Sequence, residues 1–185
     1  MPEIATRYSP VMQAQHWLTA ILVLLAFLLG PGGSEERIYS SARDLGRQWH
    51  ETLGLSVFAL TLVRGVWRLF VTPPAPPSMP QWMERAARAV QLALYGMLFA
   101  LPITAICGAW LEGHPLTLLF GVSLAPALPT LHTLGVVLTT LHTWLGDAIL
   151  WLAGVHAAAA LLHHFIMRDN VLLSMLPRRF TSRDR

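Results

Sequence analysis

The chain has no lysine, one cysteine and little charge of either sign. With Cys107 alone, it has no internal disulfide, no CxxC zinc site, no iron–sulfur cluster and no covalent haem attachment through C-x-x-C-H. Charged residues make up 12% of the 185 and hydrophobic ones 54%. An average globular domain has about 25% charged and 45–50% apolar residues, so this chain is short of the charge that a water-facing surface needs. That excludes a soluble single domain, a disordered chain and a disulfide-stapled one. The formal net charge is +3 and all thirteen basic residues are arginine. They flank apolar runs instead of forming a basic face, which argues for membrane lipid and against nucleic acid as the partner.

What is present in quantity is apolar sequence. Four stretches are long enough to cross a bilayer, which takes about 20 helical residues. They run over about 11–30, 49–71, 86–109 and 130–167. Ser9-Pro10 supplies an N-cap and a first-turn proline for the first, and the run from Thr72 to Pro80 stops the second. The fourth, as one helix, is about 57 Å long, more than a bilayer needs. Its first turns belong either to the preceding loop or to a projection beyond the membrane. The first stretch lacks a strongly basic start and a small-residue cleavage site, so it reads as a retained span and not a signal peptide. With no internal repeat and no second domain, the expectation is all-α: a single integral membrane four-helix bundle over residues 1–185.

Arginine placement gives the orientation. With the N-terminus inside, ten arginines lie on or near the inner side (Arg7, Arg64, Arg68, Arg85, Arg88, Arg168, Arg178, Arg179, Arg183 and Arg185) and three outside (Arg37, Arg43 and Arg47). This is a positive-inside bias that places both termini in the cytoplasm. The tail from Arg178 then reads as a solvated, lipid-facing segment.

Eight histidines in so apolar a chain need partners, because a polar group in lipid must be satisfied. His142 and His156 are fourteen residues apart, about 40° around one helix and about 21 Å along it. One face of the fourth span therefore presents two imidazoles, one near each side of the membrane. His50 opens the second span at the depth of His142, and His16 starts the first at the depth of His156. Each of the four is followed at the fourth position by a small residue, Ala20, Gly54, Gly146 or Ala160, where a flat macrocycle has room beside the helix. Two imidazoles per level are too few for a closed zinc site, which takes four protein ligands. They are the number a haem iron lacks beyond its four porphyrin nitrogens, so the pairs fit two bis-His b haems, with His16, His50, His142 and His156 as the iron ligands.

Other polar residues are ambiguous. Arg64, fourteen residues after His50, returns to that face at the inner level, either to pair with a haem propionate or to snorkel to the headgroups. His163 is seven residues beyond His156 and about 20° off its face. It is either a hydrogen-bond partner for a propionate or a quinone carbonyl, or an interfacial residue at the headgroups. His164 points away, His132 falls in a solvated turn and His114 lies in a Glu-Gly-His-Pro loop. Cys107 and the methionines read as packing.

These residues resemble the bacterial cytochrome b561 proteins over nearly the whole chain. Arg7-Tyr8-Ser9 with Gln15-His16-Trp17-Leu18 resembles the initial ligand region of that family. Trp49-His50-Glu-Thr-Leu-Gly54, with Arg64 and the Thr-Pro-Pro loop, resembles the next. The longest match is His156-Ala-Ala-Ala-Ala-Leu-Leu-His163-His164-Phe, then Arg168-Asp169-Asn170 and Met175-Leu-Pro177-Arg178. The resemblance implies four inner-membrane helices and two b haems held by His16, His50, His142 and His156. It also implies electron transfer between a periplasmic donor and ubiquinone. Some members oxidise superoxide at the periplasmic haem and reduce ubiquinone; others serve as electron-transfer subunits. Superoxide oxidation is an outer-sphere step that needs no general base, so no catalytic residue is expected. Two departures stand out. The outer segments carry Arg37, Arg43 and Arg47 against Glu35, Glu36, Asp44, Glu51, Glu112 and Asp147, which does not favour long-range steering of an anion. Ser78 and Met79 stand where relatives carry a basic residue in the proline-rich loop.

Overall fold

The computed structural model describes residues 7–32, 38–72, 74 and 79–177, with Arg43 described by its backbone alone. Four long helices carry the fold: α1 (Pro10–Leu28), α2 (Asp44–Trp67), α3 (Gln81–Glu112) and α4 (His132–Leu162). Each starts and stops for a local reason. Ser9 Oγ accepts the Met12 N–H and Pro10 opens the first turn of α1, where a missing N–H costs nothing. Asp44 in the first turn and Arg64 in the last complement the dipole of α2. Gly113, at φ 89°, ends α3 in the left-handed conformation that glycine adopts without a Cβ clash. After Leu162 the chain widens into a π-turn, His163–Met167, and Arg168 at φ 54° breaks it off. A short α5 (Val171–Ser174) follows.

Three of these are apolar and long enough to cross a membrane: α1, α3, and α4 with its π-turn, 36 residues from His132 to Met167. The 24 residues of α2 include Asp44, Arg47, Glu51 and Arg64, so it is the least apolar of the four. Large apolar side chains face outward along all four helices, Leu28, Leu92, Trp144 and Trp151 among the most exposed, as helices bathed in lipid require. The fold is an all-α membrane helical bundle. It differs from the sequence expectation at its ends: α2 begins at Asp44 and stops at Trp67, and α3 extends over Gln81–Glu112. The proline-rich residues 73 and 75–78, with Ser78 among them, lie outside the described residues. So do Glu35, Glu36, Arg37 and the tail from Arg178.

The helices pack as two hairpins. α1 lies along α2, and α3 lies closely along α4 where Gly108 and Gly135 meet. α2 approaches α3 more loosely, and among the described residues α4 has few close backbone approaches to α1 or α2. A gap therefore runs between the hairpins. One end of the bundle is tied by the termini. Tyr8 N–H, Gln13 Nε2 and Trp17 Nε1 of the N-terminal segment donate to the carbonyls of Ser174, Ser174 and Met175.

The other end is closed by a small antiparallel hairpin, β1 (Leu116–Thr117) with β2 (Ser123–Leu124). A charged clamp on α2 holds it. Arg47, 7% exposed, donates to Asp44 (2.6 Å), Glu51 (3.3 Å) and Thr117 Oγ1 (2.5 Å), and its guanidinium lies 5.0 Å over the Tyr39 ring. Glu51 accepts the Thr117 backbone N–H, and Thr52 Oγ1 accepts that of Leu119 at 3.1 Å. Removing Glu51 leaves Arg47 paired with Asp44 but takes away the acceptor of the Thr117 N–H, and a part-buried donor left without its partner costs about 1–3 kcal/mol. Glu51→Ala is therefore expected to loosen the hairpin, read as faster amide exchange over residues 116–124, with Glu51→Gln closer to wild type. Unchanged exchange in Glu51→Ala would show that the clamp does not hold the hairpin.

Candidate functional site

Histidines from three helices meet in pairs across the gap. The rings of His50 on α2 and His142 on α4 have centroids 5.9 Å apart with planes at 89°. Those of His16 on α1 and His156 on α4 are 6.3 Å apart at 69°. One pair sits toward the end closed by the β-hairpin and the other toward the termini. The sequence pairing and this arrangement coincide.

The first pair is fixed from behind. His50 Nδ1 lies 2.7 Å from the carbonyl oxygen of Ala26, and His142 Nδ1 lies 2.9 Å from that of Leu101. A carbonyl only accepts, so both Nδ1 atoms carry the proton and both Nε2 atoms keep their lone pair. The Ala26 oxygen is available because α1 ends there: Leu29 N–H returns to Leu25 and Gly30 N–H to Phe27. Neutral imidazoles pinned at Nδ1 by a carbonyl are the form in which histidine binds a metal.

Beside this pair lies a half-open apolar cleft between the hairpins, the kind of lining that cofactor pockets have. His50, His142, Gly54 and Gly146 line it, with Ile149, Leu101, Leu116 and other aliphatic side chains. A Cβ added at Gly54 or Gly146 meets no protein atom within 4 Å, so these glycines leave room facing the cavity and do not serve a helix contact.

The donor set fits haem. Each couple would offer two imidazole nitrogens, the number of protein ligands that a porphyrin leaves open on its iron. Edge-to-face ring packing also allows the spacing of the rings, but it does not call for the apolar cleft beside the first pair. Among the described residues no group of three or more His, Cys, Asp or Glu gathers that could hold a metal ion.

At the terminus end, Arg64 stands in the last turn of α2, fourteen residues and about 21 Å along the helix from His50, at the level of His16 and His156. Its guanidinium stacks 5.3 Å from the Tyr95 ring, and its Nε is buried with no hydrogen-bond partner. That orphan donor fits a carboxylate such as a propionate. Arg68 shares the ring at 5.5 Å and donates to the Tyr95 hydroxyl at 3.4 Å. His163 is turned to Asp169, with Nδ1 2.5 Å from Oδ2, and Asp169 Oδ1 accepts the Val171 N–H. His163 thus forms part of the turn leading into α5.

The remaining histidines stand apart from the pairs. His114 stacks on Tyr39 at 3.5 Å, His164 packs edge-on to Phe165, and His132 opens α4. Sequence reasoning did not find the Ala26 and Leu101 carbonyls, Tyr95 or the Arg47–Glu51 clamp. The spacing of Arg47 and Glu51, one helical turn apart, was the available signal for the clamp.

An all-α membrane bundle with two histidine pairs across an apolar gap, one of them pinned by carbonyls, belongs to the class of membrane cytochromes. The family described as prokaryotic cytochrome b561 matches residues 7–178. Cytochrome b561 homolog 2 of Escherichia coli K12 is 34% identical over 174 residues, covering 92% of this chain and 91% of its own. The probable superoxide oxidase CybB of Yersinia pestis is 28% identical over 178 residues, 94% and 97% of the two chains. Cytochrome b562 of Cereibacter sphaeroides is 29% identical, covering 93% and 96%. The chain belongs to the prokaryotic cytochrome b561 family, membrane electron-transfer proteins that bind b-type haem.

Proposed function

We propose that the chain holds two bis-His b haems, one between His50 and His142 and one between His16 and His156, and passes electrons across the bacterial inner membrane. The observation that carries this reading is the pair of imidazole couples at 5.9 and 6.3 Å on opposite ends of one gap. Arg64, with its free buried Nε, would hold a propionate of the haem at the terminus end. Gly54 and Gly146 would leave the face on which the other macrocycle lies, whereas His163, turned to Asp169, would act only through the turn at the inner end. When bound, each haem supplies a one-electron carrier. The protein orients it, keeps it dry and adjusts its potential through the groups around the ligands.

The positive-inside bias supports placing the termini in the cytoplasm and the hairpin end in the periplasm. Electrons would then run between a periplasmic donor and the ubiquinone pool. The name of the Yersinia relative favours superoxide as that donor, which would make the chain a superoxide:ubiquinone oxidoreductase. One observation favours a second reading, a carrier subunit serving a separate redox partner. Arg47, one of the three outer arginines, is neutralised in its clamp by Asp44 and Glu51, leaving little positive field to gather an anion.

The purified protein is expected to contain two haems per chain and to show the reduced-minus-oxidised spectrum of low-spin b haem. Stopped-flow mixing with superoxide is expected to reduce it faster than a heat-treated control. A colourless protein would end the haem reading. Haem that superoxide does not reduce would leave the carrier reading in place.

A further inference from the structure

The two histidine pairs sit in different electrostatic surroundings, and the difference has a direction. Both ligands of the hairpin-end pair give their Nδ1 protons to backbone carbonyls. Such a bond pushes electron density into the ring, makes it a stronger donor and favours the more positive, oxidised iron. Among the described residues neither His16 nor His156 has a carbonyl bond of this kind. They have a cation instead. Arg64, in the last turn of α2 and about 21 Å along it from His50, stands at the level of this pair, and no carboxylate among the described residues pairs with it: Asp169 is engaged by His163, and Glu84 by Arg88. Arg68, on the same tyrosine, adds a second positive charge near by. Positive charge in a poorly screened setting favours the reduced, less positive iron.

We infer that the chain builds a downhill step from the His50–His142 site to the His16–His156 site, and that Arg64 is the side chain that sets it. The inference rests on the ligation proposed above. The sign holds whether the guanidinium stands alone or faces a propionate, because removing it makes the site more negative in either case. With the termini in the cytoplasm the step drives electrons inward, from a periplasmic one-electron donor to an acceptor near the inner face. Each transfer oxidises the first site by one electron and reduces the second by one. A chain built to deliver electrons outward would have the cation at the other pair.

The test is an equilibrium redox titration of the purified holoprotein, followed at the visible absorption of the reduced form. Two one-electron components are expected. His50→Ala should keep the upper one and His16→Ala the lower. Arg64→Gln should lower the upper component so that its reduced-to-oxidised ratio falls about tenfold at the original midpoint, a shift of about 59 mV for one electron. Arg64→Lys should restore most of that shift, and the lower component should stay in place in both variants. An unmoved upper component in Arg64→Gln, equal movement of both components, or retention of the lower one in His50→Ala would each overturn the step. A preparation lacking two haems would overturn the ligation and the step together, whereas two haems in the wrong order would overturn the step alone.

Discussion

His142→Ala is expected to remove one haem and leave the other, halving the haem-to-polypeptide ratio. His50→Ala is expected to lose the same haem. His16→Ala and His156→Ala should each lose the second one. The expectation follows from α4 carrying one ligand for each level, with its partners on two different helices. A six-coordinate iron that loses one of two axial imidazoles loses half of its protein bonds. The double variant His50→Ala/His142→Ala should bind no less haem than either single variant, because the site is already lost. The outcome to watch is a cross pair: if His16→Ala and His142→Ala deplete one common haem, the ligands have been matched across the wrong levels. Because a cofactor bound only to the folded chain stabilises it by mass action, each single variant should also unfold more readily than the wild type when treated with denaturing detergent.

Much of this arrangement follows from arithmetic on a helix. Fourteen residues between His142 and His156 bring both rings to one face, and the structure sets them opposite His50 and His16. Helix ends were less legible. Glycine and proline mark where a helix can stop, but the extension of α2 back to Asp44 depends on Arg47 and Glu51 finding partners in a hairpin far along the chain. Counted as charges, those residues were surface acids and a base; folded, they form a buried clamp. The hairpin itself was invisible, since no charged residue or alternating pattern marks the stretch from Leu116 to Leu124. The carbonyls behind His50 and His142 could not be read either. Every residue has a carbonyl, and only the relative heights of α1, α2, α3 and α4 decide which one a ring reaches. Gly54 and Gly146 stood out by their spacing from the histidines. Gly108 and Gly135 did not, because small residues are common in membrane helices and nothing in one chain says which of them touch.

That last pair supplies the strongest test of how the site is held. A Cβ at Gly135 falls 2.9 Å from the backbone nitrogen of Glu112 and 3.0 Å from the backbone oxygen of Gly108. One at Gly108 falls 2.6 Å from Thr139 Cγ2 and 3.1 Å from the Thr139 nitrogen. The threonine methyl can move, but the backbone cannot without the helices parting, so Gly135 is the less forgiving position. Overpacking of this kind costs about 1–3 kcal/mol. The damage also has a direction. His142 lies seven residues beyond Gly135 and Leu101 seven before Gly108, so each is about two turns from the crossing on nearly the same face of its helix. Parting α3 from α4 at the glycines therefore stretches the 2.9 Å contact between His142 Nδ1 and the Leu101 carbonyl, and the ring loses its support. Gly135→Leu is expected to destabilise the protein with or without haem and to lose the His50–His142 haem first. Gly146→Leu is the contrast: its Cβ meets no protein, so the apoprotein should stay as stable as wild type while the same haem is excluded. Unfolding in denaturing detergent, measured on the haem-free and haem-loaded forms of each variant, separates the two effects. If Gly146→Leu weakens the haem-free form as much as Gly135→Leu does, the space beside Gly146 belongs to a helix contact and not to a cofactor.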